Sequence, residues 1–223
     1  MSRYAIVLGD QGIGKSVVRL NSVAHDVLEI AGYFYRNNWE ISGTVLLDFG
    51  ANEIANLWEC FFEKMKTAND ADIVIYYSGH GTVEDGVWRP RVTGDNSSEH
   101  LDIVGKSIEL SKRSNVKSVS IVIDSCFSAE VDDYGIEAHW EEGDPPIDVL
   151  AASRKSAYGT EGFACSEFTE RFLHKVKTWD AEPLTWEGLR DQINASDKVG
   201  CELFCFPYGE SQRKIPFEPE RDK

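Results

Sequence analysis

Long apolar runs and basic residues are both scarce in this sequence. No stretch approaches the roughly 20 consecutive apolar residues of a membrane span, so we expect no membrane partner. Only 23 lysine and arginine residues stand against 38 aspartate and glutamate residues, which leaves a net charge of -15. Because nucleic acids and anionic lipid surfaces bind basic faces, this deficit disfavours both as partners. It leaves room for basic peptides or for an activating cation.

Cysteine is also sparse, and its count is odd. The five cysteines are widely spaced, and the first residues show no pattern of a secretory signal. Such usage is typical of reduced thiols rather than of a disulfide framework, and it predicts a cytoplasmic location. For every cysteine except Cys126, the expected role is that of a small hydrophobic side chain in the core.

Strand-like and helix-like segments alternate along the chain. Apolar and β-branched runs predict strands at 4–8, 44–49, 73–77, 119–123, 148–152 and 201–206, with a hairpin arm at 87–92. Helical spacing of apolar residues predicts helices at 21–35, 51–65, 101–110, 168–176 and 186–193. Continuous apolar strands between amphipathic helices indicate an α/β fold, with a mainly parallel central sheet covered by helices on both faces.

A single domain is predicted over residues 1–209. Within it, the segment 130–147 is rich in acidic residues and contains neither lysine nor arginine, which predicts an exposed acidic loop. Residues 210–223 are polar and are expected to form a C-terminal tail.

The octapeptide GDQGIGKS, residues 9–16, matches the phosphate-loop pattern GxxxxGK[ST] directly after the first predicted strand. Lys15 and Ser16 would then contact the phosphates of a nucleotide, and Asp124, at the end of an apolar run, would hold magnesium. Against this interpretation, clean helical periodicity begins only at Val23, whereas a phosphate loop leads straight into its helix. A nucleotide-binding α/β protein is therefore kept as the alternative.

A histidine and a cysteine follow two of the buried strands. The strand at 73–77 leads into Ser78-Gly79-His80-Gly81, and the strand at 119–123 leads into Asp124-Ser125-Cys126. In an open parallel sheet, ligands bind at this carboxyl edge. If the two strands are neighbours, His80 can act as general acid and base for a Cys126 nucleophile. The backbone amides of Gly81 and Cys126 are the candidate oxyanion donors.

The segments YYSGHG (76–81) and IVIDSCFSA (121–129) resemble the two catalytic signatures of caspase-like cysteine peptidases, which include metacaspases, paracaspases and bacterial relatives. Further similar segments lie in family order at 19–26, 148–153, 157–161 and 167–173. The resemblance implies a caspase–hemoglobinase fold and a compact cysteine endopeptidase. GDQGIGKS would then be the loop between the first strand and the first helix. The chain departs from the family after the nucleophile, where it has Phe127-Ser128-Ala129.

The same resemblance implies a substrate and a context. Asp26, Asp124 and Ser153 fall where the family lines its first specificity pocket, so the expected cleavage follows arginine or lysine in protein or peptide substrates. No cofactor is required by the sequence, while calcium is an expected activator in relatives of the metacaspase type. Family context suggests regulated proteolysis under a protein activator or inhibitor, in bacterial stress or antiviral defence. A catalytically silent homologue acting as a binding module is a further alternative.

Overall fold

The structure is a computed structural model. It describes residues 2–12, 19–46, 51–84, 87–90, 101–126, 128, 136, 140–152, 165–179, 184–195 and 204–208. Among these residues, no helix is both long enough and apolar enough to cross a membrane.

Six of the described strands form one sheet in the order β2-β1-β3-β6-β7-β8. Their bounds are β1 Ser2–Gly9, β2 Glu40–Leu46, β3 Ala71–Gly79, β6 Val116–Ser125, β7 Ile147–Ala151 and β8 Phe204–Tyr208. The first five run parallel, and β8 pairs antiparallel with β7. The predicted α/β fold with a mainly parallel sheet is therefore confirmed. A separate antiparallel hairpin joins β4 Gly81–Glu84 to β5 Val87–Pro90, as the sequence predicts.

Helices cover the sheet on both faces, which explains why its central strands are apolar throughout. The helices are α1 Val23–Arg36, α2 Ala51–Met65, α3 Ile103–Ser111, α4 Glu167–Thr178 and α5 Trp186–Ala195. Side chains of α2 and α3 pack with one face of the sheet, and side chains of α1, α4 and α5 pack with the other. Along β3, Ile75 and Tyr77 therefore enter the first core, while Val74 and Tyr76 enter the second.

Two edge strands differ from the sequence prediction. β2 begins four residues earlier than expected, because Glu40 and Ile41 pair with Tyr4 and Ala5 of β1. An edge strand needs no continuous apolar run, so this polar stretch gave little sequence signal. β8 is shifted towards the C-terminus and includes Pro207, a residue that edge strands tolerate.

The acidic loop is only partly as predicted. Glu141, Glu142 and Gly143 are exposed, but Ile136 is fully buried in the core formed with α2 and α3. The remaining described residues of the segment 130–147 lie at 140–147, and Trp140 packs against the same core. Ile136 and Trp140 thus attach this segment to the core, which its acidic composition did not predict. The tail at 210–223 lies outside the described residues.

Candidate active site

The carboxyl ends of β3 and β6 bring the predicted histidine and cysteine to the same level. The two strands are neighbours in the sheet, and their register pairs Ser78 with Asp124 and Gly79 with Ser125. His80 directly follows the end of β3, and Cys126 directly follows the end of β6. Their backbones therefore leave the sheet side by side. This adjacency is what the sequence interpretation required, and the parallel register supplies it.

Gly81 brings the two loops into direct contact. A methyl group added at Gly81 would lie 2.4 Å from the carbonyl oxygen of Cys126 and 2.8 Å from Ser125 Oγ. Only a residue without a side chain lets the loop after His80 approach the Cys126 backbone this closely. The role of the Gly81 and Cys126 amides as oxyanion donors remains a prediction.

Both candidate catalytic side chains are accessible in part. His80 and Cys126 are each half-buried, and Cys126 is not part of a disulfide. A thiol with an imidazole alongside has the components of nucleophilic catalysis, since the imidazole can accept the thiol proton and return it to a leaving group. Among the other histidines, His25 and His174 are exposed on helices, as expected for surface residues.

Two carboxylates predicted to line a pocket lie close together on the face of the sheet covered by α1 and α4. Asp26 of α1 is fully buried, and it accepts hydrogen bonds from Ser78 Oγ at 2.9 Å and from the Ser166 amide at 2.7 Å. Asp124 accepts hydrogen bonds from the Ser166 hydroxyl and, at 3.0 Å, from Thr169 Oγ1. Ser166 therefore joins the two carboxylates at the start of α4. Asp26 is a member of this network and not a solvated charge of the first helical turn.

Burial shapes the charge of this acid pair. Burial raises the pKa of Asp26 from 3.8 to about 6, although hydrogen bonds from Ser166 and Ser78 oppose the rise. Burial raises the pKa of Asp124 to about 7, and the neighbouring charge of Asp26 adds to the effect. Raised pKa values of this size at a strand edge are typical of functional carboxylates, although structural networks also produce them. Near pH 7 the acid pair therefore carries less than two full negative charges.

We expect the acid pair to weaken the fold at higher pH. A carboxyl whose pKa is raised by folding adds stability below its ordinary pKa of 3.8, and that stability is lost as the pH rises through about 6 to 7. Asp124→Asn keeps an acceptor for Ser166 and Thr169 but removes the titration of the Asp124 carboxyl. The free energy of unfolding of this variant, relative to that of the parent, should therefore rise by about 1–3 kcal/mol from pH 5 to pH 8. Urea unfolding at both pH values measures the difference, and an equal difference at both would contradict the buried pair.

Cys165 lies beside the acid pair but differs from Cys126 in its chemistry. Burial raises the pKa of the Cys165 thiol to about 12, and the charge of Asp26 contributes. A thiol that stays protonated is a poor nucleophile. Cys60 is exposed on α2, so the expectation that it fills the core is wrong. Helical spacing places Cys60 on the solvent side of α2, whereas the expectation of burial rested on residue type alone.

Three predicted site residues fall outside the described residues: Lys15, Ser16 and Ser153. Among the described residues, no group of three or more His, Cys, Asp or Glu side chains is arranged to hold a metal ion. Calcium activation therefore stays a prediction without a site.

Sequence reasoning missed the side chains that support the site from a distance. Ser166 joins carboxylates that stand 140 and 42 residues away along the chain. Trp88, on the hairpin, donates a hydrogen bond from Nε1 to the carbonyl oxygen of Cys126 at 3.2 Å. A serine directly before an amphipathic helix predicts an N-cap residue, and this signal could have drawn attention to Ser166. In the structure its hydroxyl accepts a hydrogen bond from the Thr169 amide. The sequence around Trp88 contains no pattern that predicts its contact with the loop of Cys126.

The fold and the edge site define an α/β protein with a mainly parallel sheet and a histidine–cysteine pair at its carboxyl edge. No protein-family model matches the chain, and no curated protein matches it. Among solved structures, the chain is similar to the crystal structure of protein GSU0716 from Geobacter sulfurreducens, a structural genomics target, with a TM-score of 0.71. The match has 14% sequence identity and covers 98% of this chain and 99% of that chain. At this identity the likeness concerns the fold alone.

Proposed function

We propose that the protein is a caspase-like cysteine endopeptidase with Cys126 as nucleophile and His80 as general acid and base. The observation that carries this proposal is the register of β3 and β6, which pairs Gly79 with Ser125 and so sets His80 beside Cys126. The close contact of Gly81 with the Cys126 backbone adds support. The six-stranded sheet with helices on both faces is compatible with the caspase–hemoglobinase fold that the sequence motifs imply.

The proposed reaction follows from these positions. His80 takes the proton of Cys126, and the thiolate attacks the carbonyl carbon of the scissile peptide bond. The oxyanion that forms is stabilised by the amides of Gly81 and Cys126. His80 then donates the proton to the leaving amine, which leaves an acyl-enzyme thioester on Cys126. Water, deprotonated by His80, hydrolyses the thioester and restores the thiol.

The acid pair supports a preference for arginine or lysine before the scissile bond. Asp124 stands two residues before Cys126, and Ser166 links it to Asp26. Two carboxylates together attract a cation, and a guanidinium can bond both in forked geometry. Ser153, in the segment after β7, is proposed as the third pocket residue. Substrates are thus proteins or peptides with basic residues at the cleavage site.

Covalent labelling tests the proposed nucleophile without knowledge of the natural substrate. An acyloxymethyl-ketone probe with arginine in the first position is expected to label the parent and not Cys126→Ala. Mass spectrometry of the labelled peptide should place the adduct on Cys126, and parallel reactions with and without calcium address activation. Labelling that survives in Cys126→Ala would contradict the proposed nucleophile. Absence of labelling in the parent under both conditions would favour a catalytically silent homologue that acts as a binding module.

Nucleotide binding is the second candidate function, because GDQGIGKS matches the phosphate-loop pattern. The described residues around it favour a different loop. Asp10 is buried and accepts a hydrogen bond from the Gly12 amide at 2.7 Å, and α1 begins only at Val23. Asp124, the candidate magnesium ligand, instead accepts hydrogen bonds from Ser166 and Thr169 at the start of α4.

We expect Lys15→Ala to leave peptidase activity within a few-fold of the parent, since a phosphate contact has no part in the proposed reaction. Titration calorimetry with Mg-ATP should show no binding to the parent. A micromolar dissociation constant, equivalent to roughly 8 kcal/mol, that is lost in Lys15→Ala would establish the nucleotide-binding function instead.

A further inference from the structure

Two buried aromatic residues lie directly beneath the candidate dyad. Tyr77 of β3 and Trp88 of β5 are each 1% exposed. Their rings meet edge to face, with centroids 6.1 Å apart and an interplanar angle of 72°. Both belong to the core formed with α2 and α3, on the opposite face of the sheet from Tyr76, which contacts the acid-pair network. They therefore join the central sheet to the separate hairpin at the point where the site begins.

Each aromatic residue donates a hydrogen bond to the backbone of one member of the dyad. The Tyr77 hydroxyl donates to the carbonyl oxygen of His80 at 2.7 Å. Trp88 Nε1 donates to the carbonyl oxygen of Cys126 at 3.2 Å, and Ser125 Oγ donates to the same oxygen at 3.2 Å. Burial, with the charges of Asp10 and Cys126, raises the pKa of Tyr77 well above 10, so its hydroxyl stays protonated and remains a donor.

The glycines on either side of His80 make room for these two contacts. A methyl group at Gly79 would lie 2.7 Å from the Tyr77 hydroxyl. A methyl group at Gly81 would lie 2.6 Å from Trp88 Nε1, besides its clash with the Cys126 carbonyl. The Gly-His-Gly motif therefore has a packing reason on each side, and each glycine serves one of the two aromatic donors.

We propose that Tyr77 and Trp88 are positioning residues that hold the backbones of His80 and Cys126 at the separation that proton transfer requires. This inference rests on the proposed peptidase function. The two rings touch each other, so the two backbone carbonyls are held by one rigid unit rather than by two independent side chains. Neither ring contacts a described residue of the acid pair, so their effect should fall on the chemical step and leave selection of the substrate unchanged.

Tyr77→Phe and Trp88→Phe remove the two donors while keeping an aromatic ring in each place. We expect each variant to lower kcat about 10- to 100-fold, since small displacements of reacting groups have effects of this size, with KM within about twofold. Trp58→Phe is the matched control, because Trp58 lies in the same core and its Nε1 has no hydrogen-bond partner. The double variant should lose little more than the worse single variant, since the two rings act as one unit.

A readout independent of substrate separates this inference from the proposed function. Alkylation of Cys126 by iodoacetamide, followed by mass spectrometry between pH 5 and pH 9, reports the thiolate that His80 stabilises. The parent should react faster than His80→Ala near pH 6, and the two aromatic variants should approach the rate of His80→Ala. If the parent shows this excess reactivity and both aromatic variants keep it, as Trp58→Phe should, the positioning inference is overturned. If the parent reacts no faster than His80→Ala, the proposed dyad itself fails.

Discussion

Cys126→Ala is expected to abolish peptide hydrolysis, with kcat/KM falling by roughly 10⁴-fold or more. The variant lacks the sulfur that forms the acyl-enzyme, and no described side chain stands in its place. Cys165, the nearest other cysteine along the chain, remains protonated because burial raises its pKa to about 12. Fluorogenic peptides ending in arginine, assayed with purified parent and variant, measure the loss.

His80→Ala should cause a loss of about 10²- to 10⁴-fold, the range for removal of a general acid and base. The two variants remove parts of one catalytic unit, so the double variant should be no worse than Cys126→Ala alone. Cys60→Ala is the matched control, since Cys60 is an exposed free thiol on α2. Peptide turnover by Cys126→Ala at the rate of the parent would refute the mechanism. Loss of activity in Cys60→Ala would show that the reaction depends on a thiol other than Cys126.

Asp124→Asn and Asp26→Asn are each expected to lower kcat/KM for arginine peptides by about 10²- to 10³-fold. Each change leaves a substrate guanidinium facing one carboxylate instead of two. In Asp124→Asn the amide oxygen can accept from both the Ser166 and Thr169 hydroxyls, which share one carboxylate oxygen in the parent. In Asp26→Asn the amide oxygen can accept from the Ser166 amide, while the new NH₂ group donates to the Ser78 hydroxyl, which turns to accept. Peptides that differ only in arginine, glutamine or aspartate before the scissile bond measure the preference.

Asp72→Asn provides a control for the loss of a buried aspartate. Asp72 is also buried and accepts a hydrogen bond from Ser118, but it stands at the opposite end of β3 from Ser78. This variant should keep the arginine preference of the parent. A parent that prefers aspartate, or undiminished arginine cleavage in Asp124→Asn, would show that the acid pair does not form the specificity pocket.

The pH dependence of this preference follows from the same pair. A carboxyl is charged above its pKa, and the pKa values of Asp26 and Asp124 are raised to about 6 and about 7. The ratio of arginine to glutamine cleavage should therefore rise as the pH increases from 5 to 8. Taking the ratio cancels the pH dependence that both substrates share. In Asp124→Asn the ratio should be lower than in the parent, and its remaining rise with pH should follow the titration of Asp26 alone.

Local pattern was sufficient for most elements of the fold. The apolar spacing of residues 51–65 predicts α2 with the bounds it has, Ala51–Met65. The apolar runs at 73–77 and 119–123 lie within β3 and β6, because strands buried on both faces must be apolar throughout. β2 was misplaced and the antiparallel direction of β8 was not foreseen. At a sheet edge, the bounds and direction of a strand depend on its pairing with one neighbour and only weakly on the pattern of its side chains.

The sequence by itself determined which residues carry the candidate chemistry, since His80 and Cys126 each follow a buried strand and a small-residue turn marks each place. Only the tertiary structure decided how those residues are supported. Ser166 joins Asp26 to Asp124, and Trp88 reaches the Cys126 carbonyl from a hairpin outside the main sheet. Periodicity and turn propensity depend on neighbours along the chain, whereas these hydrogen bonds depend on strand register and on how the helices and the hairpin pack against the sheet.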